Sequence, residues 1–278
     1  DVTHSVIGSN ATISGGEVLS CLIFPFHEQH HKSSFLCASM IEGQSNIAAG
    51  AVIGSNHNSR SNDGELVAGR GFWPGLCTSF KHNSRFASFT LVAKGSYRSE
   101  LHLMLPFSLV SEYQQDGSVL IMPAYWFLYN MYALERNRIK YRHRDKRVAE
   151  VLKTRPPEYG YMAPDTAEEI QRAIYLLELW TGRAWQVSLS AESEENIQFS
   201  ETQLAEKGKQ LLEQDPKFVE ELEIVGEGIV PGKRQGKIVK IVPGYNAYRD
   251  MLHLYSVQTV AEYIYSENKS IEEIDAEA

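Results

Sequence analysis

The chain has 278 residues, enough for one large domain or two smaller ones, and its 43% hydrophobic and 22% charged content is that of a globular protein able to bury a core. A net charge of -8 argues against a general nucleic-acid binder, whose affinity comes from many Lys and Arg neutralising phosphates. The most apolar stretch, Met122 to Leu134, is interrupted by Asn130 and falls short of the roughly 20 residues a membrane span needs, and no cleavable leader is visible.

In chain order, a six-residue period comes first. It starts at Ile7, Ile13 and Leu19, is most regular at Ile41, Ile47 and Ile53, and returns at Phe80, Phe86 and Val92. Small residues such as Ser45, Ala51, Ser84 and Thr90 follow four places later. A helix repeats at three and four and a simple strand at two, so a period of six calls for a solenoid of three-sided coils. The aliphatic residue then fills the interior and the small one sits at the corner. The count slips between 19 and 41 and between 53 and 80, so loops are expected to leave the solenoid at about 27–34 and 57–73. Repeats begin within the first few residues with no capping element ahead, which leads us to expect a longer parent chain. Cys21, Cys37 and Cys77 are odd in number, lack CxxC spacing and fall at small apolar positions, as in a reduced, cytoplasmic protein.

After about residue 110 helical spacing takes over, dividing the chain into 1–112, a left-handed β-helix, and 113–278, a mainly α-helical C-terminal region. Tyr125, Leu128, Tyr129 and Tyr132 predict a helix with one packed aromatic face. Arg136, Arg138, Lys140, Arg142, Arg144, Lys146 and Arg147 mostly alternate, which predicts a strand with its charges on one face, paired with acidic helices carrying Glu168, Glu169, Glu194, Glu195, Glu220 and Glu221. Pro164 followed by Thr166-x-x-Glu169 reads as a capping box opening a helix that ends near Gly182. Asp215-Pro216 is an N-cap with proline at the first helical position. Residues 226–244 read as a Gly-rich loop plus a strand or hairpin at Ile238 to Val242, Tyr248 to Tyr255 open a last helix, and the acidic tail from Ser270 frays.

Candidate chemistry centres on a doubled tetrapeptide, His57-Asn58-Ser59-Arg60 and His82-Asn83-Ser84-Arg85. The offset of 25 is no multiple of six, so His57 is expected at a corner and His82 facing outward. A histidine titrating near neutrality removes a proton from an attacking hydroxyl, and a neighbouring arginine holds a phosphate or carboxylate. Gly69 to Gly75 adds Arg70 as an anion contact and Trp73 as a stacking surface, or else a turn anchored by buried aromatics. His27, His30 and His31 form a second imidazole cluster, but no histidine pair is spaced by 18, as stacked coils would require for a shared metal. No metal is therefore predicted. Gly232-x-x-x-Gly236-Lys237 is one residue short of a phosphate loop and lacks its hydroxyl.

Residues 5 to 105 resemble the left-handed parallel β-helix, or hexapeptide-repeat, superfamily. The run from Gly43 to Arg60, with Asp63-Gly64-Glu65, Gly69 to Gly75 and Lys81 to Arg85, is similar to a family of longer Bacteroides-type proteins that join such repeats to a helical tail. That family implies no particular activity. The wider superfamily implies homotrimers and acyl transfer to a sugar or nucleotide sugar at sites between subunits. The resemblance further implies no tightly bound cofactor, with acetyl-CoA or another acyl donor as co-substrate. On that reading His57 or His82 is the general base, and Asn56, Asn58, Arg60, Arg70, Trp73, Lys81 and Arg85 contact substrate. His27, His30 and His31 are additional candidates. A non-catalytic ligand-binding or trimerisation module of a larger protein is the alternative, and a zinc-dependent lyase of carbonic-anhydrase-like type is a third reading.

Overall fold

The computed structural model describes residues 1–55, 64–113, 115–147, 154, 158–192, 198–232 and 235–267. Six coils of short parallel strands stack into a three-sided β-solenoid. Its first face runs Val2–Thr3, Glu17–Leu19, Phe35–Cys37, Val52–Ser55, Ser79–Lys81, Ser96–Tyr97. The second runs Val6–Ile7, Leu22–Ile23, Ser39–Ile41, Leu66–Ala68, Arg85–Phe86, His102–Leu103. The third begins with Thr12–Ile13 and Glu28–Gln29, narrows to a bridge at Asn46, and resumes at Trp73–Pro74, Leu91–Val92 and Leu109–Glu112.

In-register pairing turns the six-residue period into interior ladders. Val18, Leu36 and Ile53 stack behind the first face, Ile23, Ile41 and Ala68 behind the second, and Val92 and Val110 behind the third, all buried. Phe72, Phe80 and Phe86 fill the later coils, with ring centroids 4.8 and 5.1 Å apart from Phe86. Removing such apolar surface from water is the main force holding the prism together.

The expected loop at 27–34 is absent. Val18 pairs with Leu36, eighteen positions on, so these residues complete an ordinary coil; the earlier slip arises because the first coil is shorter, with Val2 opposite Val18. The second expected loop is real but ends sooner. Ser39 pairs with Leu66, twenty-seven positions on, where Val67 pairs with Arg85 eighteen on, so the extra residues lie between Ser55 and Leu66. Trp73 is back in a strand.

The helices bounded among the described residues are α1 (Tyr125–Tyr129), α2 (Met131–Arg144), α3 (Pro164–Glu192), α4 (Glu201–Gln214), α5 (Pro216–Glu221) and α6 (Ile241–Glu267). Val119–Met122 turns back antiparallel to Leu109–Glu112, Gly236–Ile238 adds parallel to it, and Val225 bridges Lys237 antiparallel across the Gly-rich loop. The last coil is closed by aromatic packing, with Phe107 4.3 Å from Phe127 and the buried Tyr248 donating its hydroxyl to the Pro106 carbonyl. One apolar core runs from Val18 in the solenoid to Met251 in α6.

Several helical expectations are corrected by tertiary packing. The basic run is helical in α2 and continues past its end; Lys140 and Arg144 pair with Glu28 of the solenoid at 2.5 and 3.2 Å, and Arg147 pairs with Asp145 at 2.6 Å. Tyr129 and Tyr132 are 59% and 77% exposed, because Trp126, Ala133 and Leu134 supply the packed face instead. Thr166 is buried and donates to the Tyr161 carbonyl at 2.9 Å, while Glu169 accepts from the Ser88 N–H, so the pair makes no capping box. Asp215 does cap α5, accepting from the Phe218 N–H. Cys21 is buried as expected, but Cys77 is exposed. Glu194, Glu195 and the tail from Ser270 lie outside the described residues.

Candidate functional site

The long fourth coil places its extra residues at the corner between the first and second faces. Gly54, with φ of 81°, passes through that corner; a Cβ there would fall 1.9 Å from the Cys37 carbonyl oxygen and 3.4 Å from His82 Cε1. Only glycine fits such a conformation and approach. The chain leaves at Ser55, opposite Lys81, and is back at Gly64, where an added Cβ would lie 3.0 Å from Asn83 Oδ1. The root of the insertion carrying the first His-Asn-Ser-Arg thus lies against the second. Asn56, His57, Asn58 and Arg60 themselves lie outside the described residues.

His82 is 4% exposed, contrary to the outward position that hexapeptide counting assigns it. His82 follows the interior Phe80 by two positions, so strand alternation turns it inward with Phe80 and leaves Lys81 between them partly exposed; the register shift opposite adds its extra residue to Val52–Ser55. Ser84 shapes the corner, donating to the Lys81 carbonyl at 2.9 Å and accepting from the Leu101 N–H at 3.1 Å. Lys81 pairs with Glu100, and His102 Nε2 donates to the Asn83 carbonyl at 3.2 Å. Arg85 is exposed beside His102 on the second face. Glu100 and His102 come from the next coil, about one turn on, and single-residue motif reading does not reach them.

The other candidates sit elsewhere. Arg70 is 9% exposed and makes two 3.0 Å bonds to Asp165, with further bonds to the Gly160 and Tyr161 carbonyls. It clamps the start of α3 to the solenoid corner between the second and third faces. Trp73 stacks on Trp126, centroids 5.7 Å apart, so its ring is packing. His27 is fully buried inside the second coil, while His30 and His31 are exposed, with rings 4.2 Å apart and His30 3.6 Å from Glu28. Among the described residues no group of three His, Cys, Asp or Glu is placed to hold a metal. Near the Arg70 clamp, burial lifts the Glu169 carboxyl to about 7, the Ser88 hydrogen bonds oppose the shift, and Asp165 and Glu42 add to it.

No known protein family matches the chain, and no solved structure matches it. It is similar to an uncharacterised protein of Treponema pallidum (strain Nichols), 45% identical over 254 residues that make up 91% of this chain and 33% of that protein. The chain therefore spans about a third of that relative's length. No helix among the described residues is long and apolar enough to cross a membrane.

Proposed function

We propose that this chain is an acyltransferase-like module acting on a sugar or nucleotide-sugar acceptor, with its reaction centre at the insertion of the fourth coil. The observation that carries this reading is the meeting of the insertion root, Gly54 to Ser55 and Gly64, with Lys81 to Asn83. His57 takes the proton from the acceptor hydroxyl as that oxygen attacks the thioester carbonyl. The tetrahedral intermediate then collapses, and the thiol of acetyl-CoA or another acyl donor leaves. Buried His82 packs against the insertion root at Gly54, while Arg60, Lys81 and Arg85 meet the donor or acceptor phosphates. The active form is a cytoplasmic homotrimer in which a neighbouring subunit completes the cleft.

Thiol release from acetyl-CoA in the presence of UDP-sugars tests this. His57→Ala is expected to lower turnover by about 10²–10⁴-fold, with His82→Asn lowering it too and native mass spectrometry still reporting trimers. Unchanged turnover in His57→Ala would overturn the assignment. A second reading, a non-catalytic ligand-binding or trimerisation module, is favoured by the 4% exposure of His82 and by the engagement of Arg70 with Asp165. A trimeric wild-type protein that binds sugar nucleotides without releasing thiol would decide for it.

A further inference from the structure

Beside the corner of the second and third faces, where Arg70 holds the Gly160 and Tyr161 carbonyls, α2, residues 158–162 and the outer part of α6 enclose an open groove of about 750 Å³. This is within the roughly 300–1,000 Å³ range of small-molecule sites. Arg138 and Arg142 line it from successive turns of α2, and Tyr159 and Tyr255 face it from the loop and from α6. Glu158 and Glu262 complete its edges. Arg142 makes no ion pair among the described residues, whereas Arg138 bonds Glu135 at 2.9 Å.

The charges select the kind of ligand. Three carboxylates, Glu135, Glu158 and Glu262, stand against two guanidiniums, so the lining carries no positive excess to draw in a phosphate. The same mixture suits a polyol, whose hydroxyls donate to carboxylates and accept from guanidiniums. Tyrosine rings cover the C–H faces of a pyranose while their hydroxyls stay wet. A smaller cavity shares Arg138, Tyr159 and Tyr161 with the groove and is also lined by Trp126. The Trp126 indole N–H is buried and finds no acceptor among the described residues, so the residue that lines this smaller cavity carries an unpaired donor.

We propose that this groove binds an uncharged sugar or short oligosaccharide. The site lies at a different corner from the insertion and stands whether or not acyl transfer takes place there. The test is to apply the full chain to an array of neutral and acidic glycans and to titrate a retained neutral oligosaccharide calorimetrically. Retention of neutral glycans is expected, with affinity unchanged between about 0.05 and 0.5 M salt, since no net charge is neutralised. Tyr255→Ala and Arg142→Ala should each weaken binding about tenfold or more, and neither should move the melting temperature, because neither side chain is buried. Retention of acidic glycans alone, no retained neutral glycan, or affinity unmoved by both substitutions would overturn the proposal.

Discussion

Inside the second coil, His27 Nδ1 accepts from the Ser45 hydroxyl at 2.8 Å and Nε2–H donates to Gln29 Oε1 at 3.1 Å; Gln29 in turn donates to Ser34 at 2.8 Å. A buried polar group needs such partners. Burial lowers the His27 pKa from 6.5 to about 4, so the ring is neutral in the folded chain. The unfolded chain then binds more protons between these values, and His27's contribution is full above 6.5 and lost as pH falls through 4. Glu169 works in the opposite sense. Its folded pKa, raised from 4.5 to about 7 by burial, gives a contribution that is full below 4.5 and lost as pH rises through 7. Each shift corresponds to roughly 3 kcal/mol, so the two largely cancel across pH 4 to 7. In urea titrations, Glu169→Gln is therefore expected to match wild type at pH 4 and exceed it by roughly 3 kcal/mol at pH 8. An equal difference at both pH values would contradict the raised pKa. Neither role was legible in the sequence. His27 read as part of a surface cluster because the short first coil looked like a loop, and Ser45, eighteen positions on, was the one hint of an interior ladder.

The helices show how a single contact overrides local signals. Gly182 reads as a helix stop, yet α3 runs on to Glu192 because Gly182 is where α4 crosses it. A Cβ on Gly182 would fall 1.9 Å from the Leu204 carbonyl oxygen, and one on Gly208 would fall 1.8 Å from that of Glu178. Alanine in an exposed helix normally stabilises by about 1 kcal/mol over glycine. Gly208→Ala should instead destabilise by about 3 kcal/mol, since two backbones must separate. A gain in urea midpoint would show that the helices do not meet there. The basic segment failed for a related reason. Its alternation fits a strand, but Lys140 and Arg144, four apart, form one helical row that meets Glu28. The strands were far more legible, because an interior residue every six positions is a direct consequence of a three-sided coil.

At the scale of the whole molecule, the solenoid and helices share one core, and Arg70 binds Asp165 across their junction. The fourth coil is the long one in this scaffold: Ser39 pairs with Leu66 twenty-seven positions on, where Val67 pairs with Arg85 eighteen on, and the excess lies between Ser55 and Leu66. That excess was visible in the sequence as the slip from 53 to 80, although counting in sixes carried its end too far, to Trp73. What counting did not reveal is that the root of the insertion meets the second His-Asn-Ser-Arg segment, since only strand register sets Ser55 opposite Lys81. The central claim is that the insertion serves chemistry and not folding. Its most direct test is to delete residues 56–64, which restores a coil of ordinary length, and to measure both unfolding and acyl transfer. Cooperative unfolding within about 1 kcal/mol of wild type, with transfer abolished, is the predicted result; a deletion variant that transfers acyl groups at the wild-type rate, or that no longer folds, would contradict it.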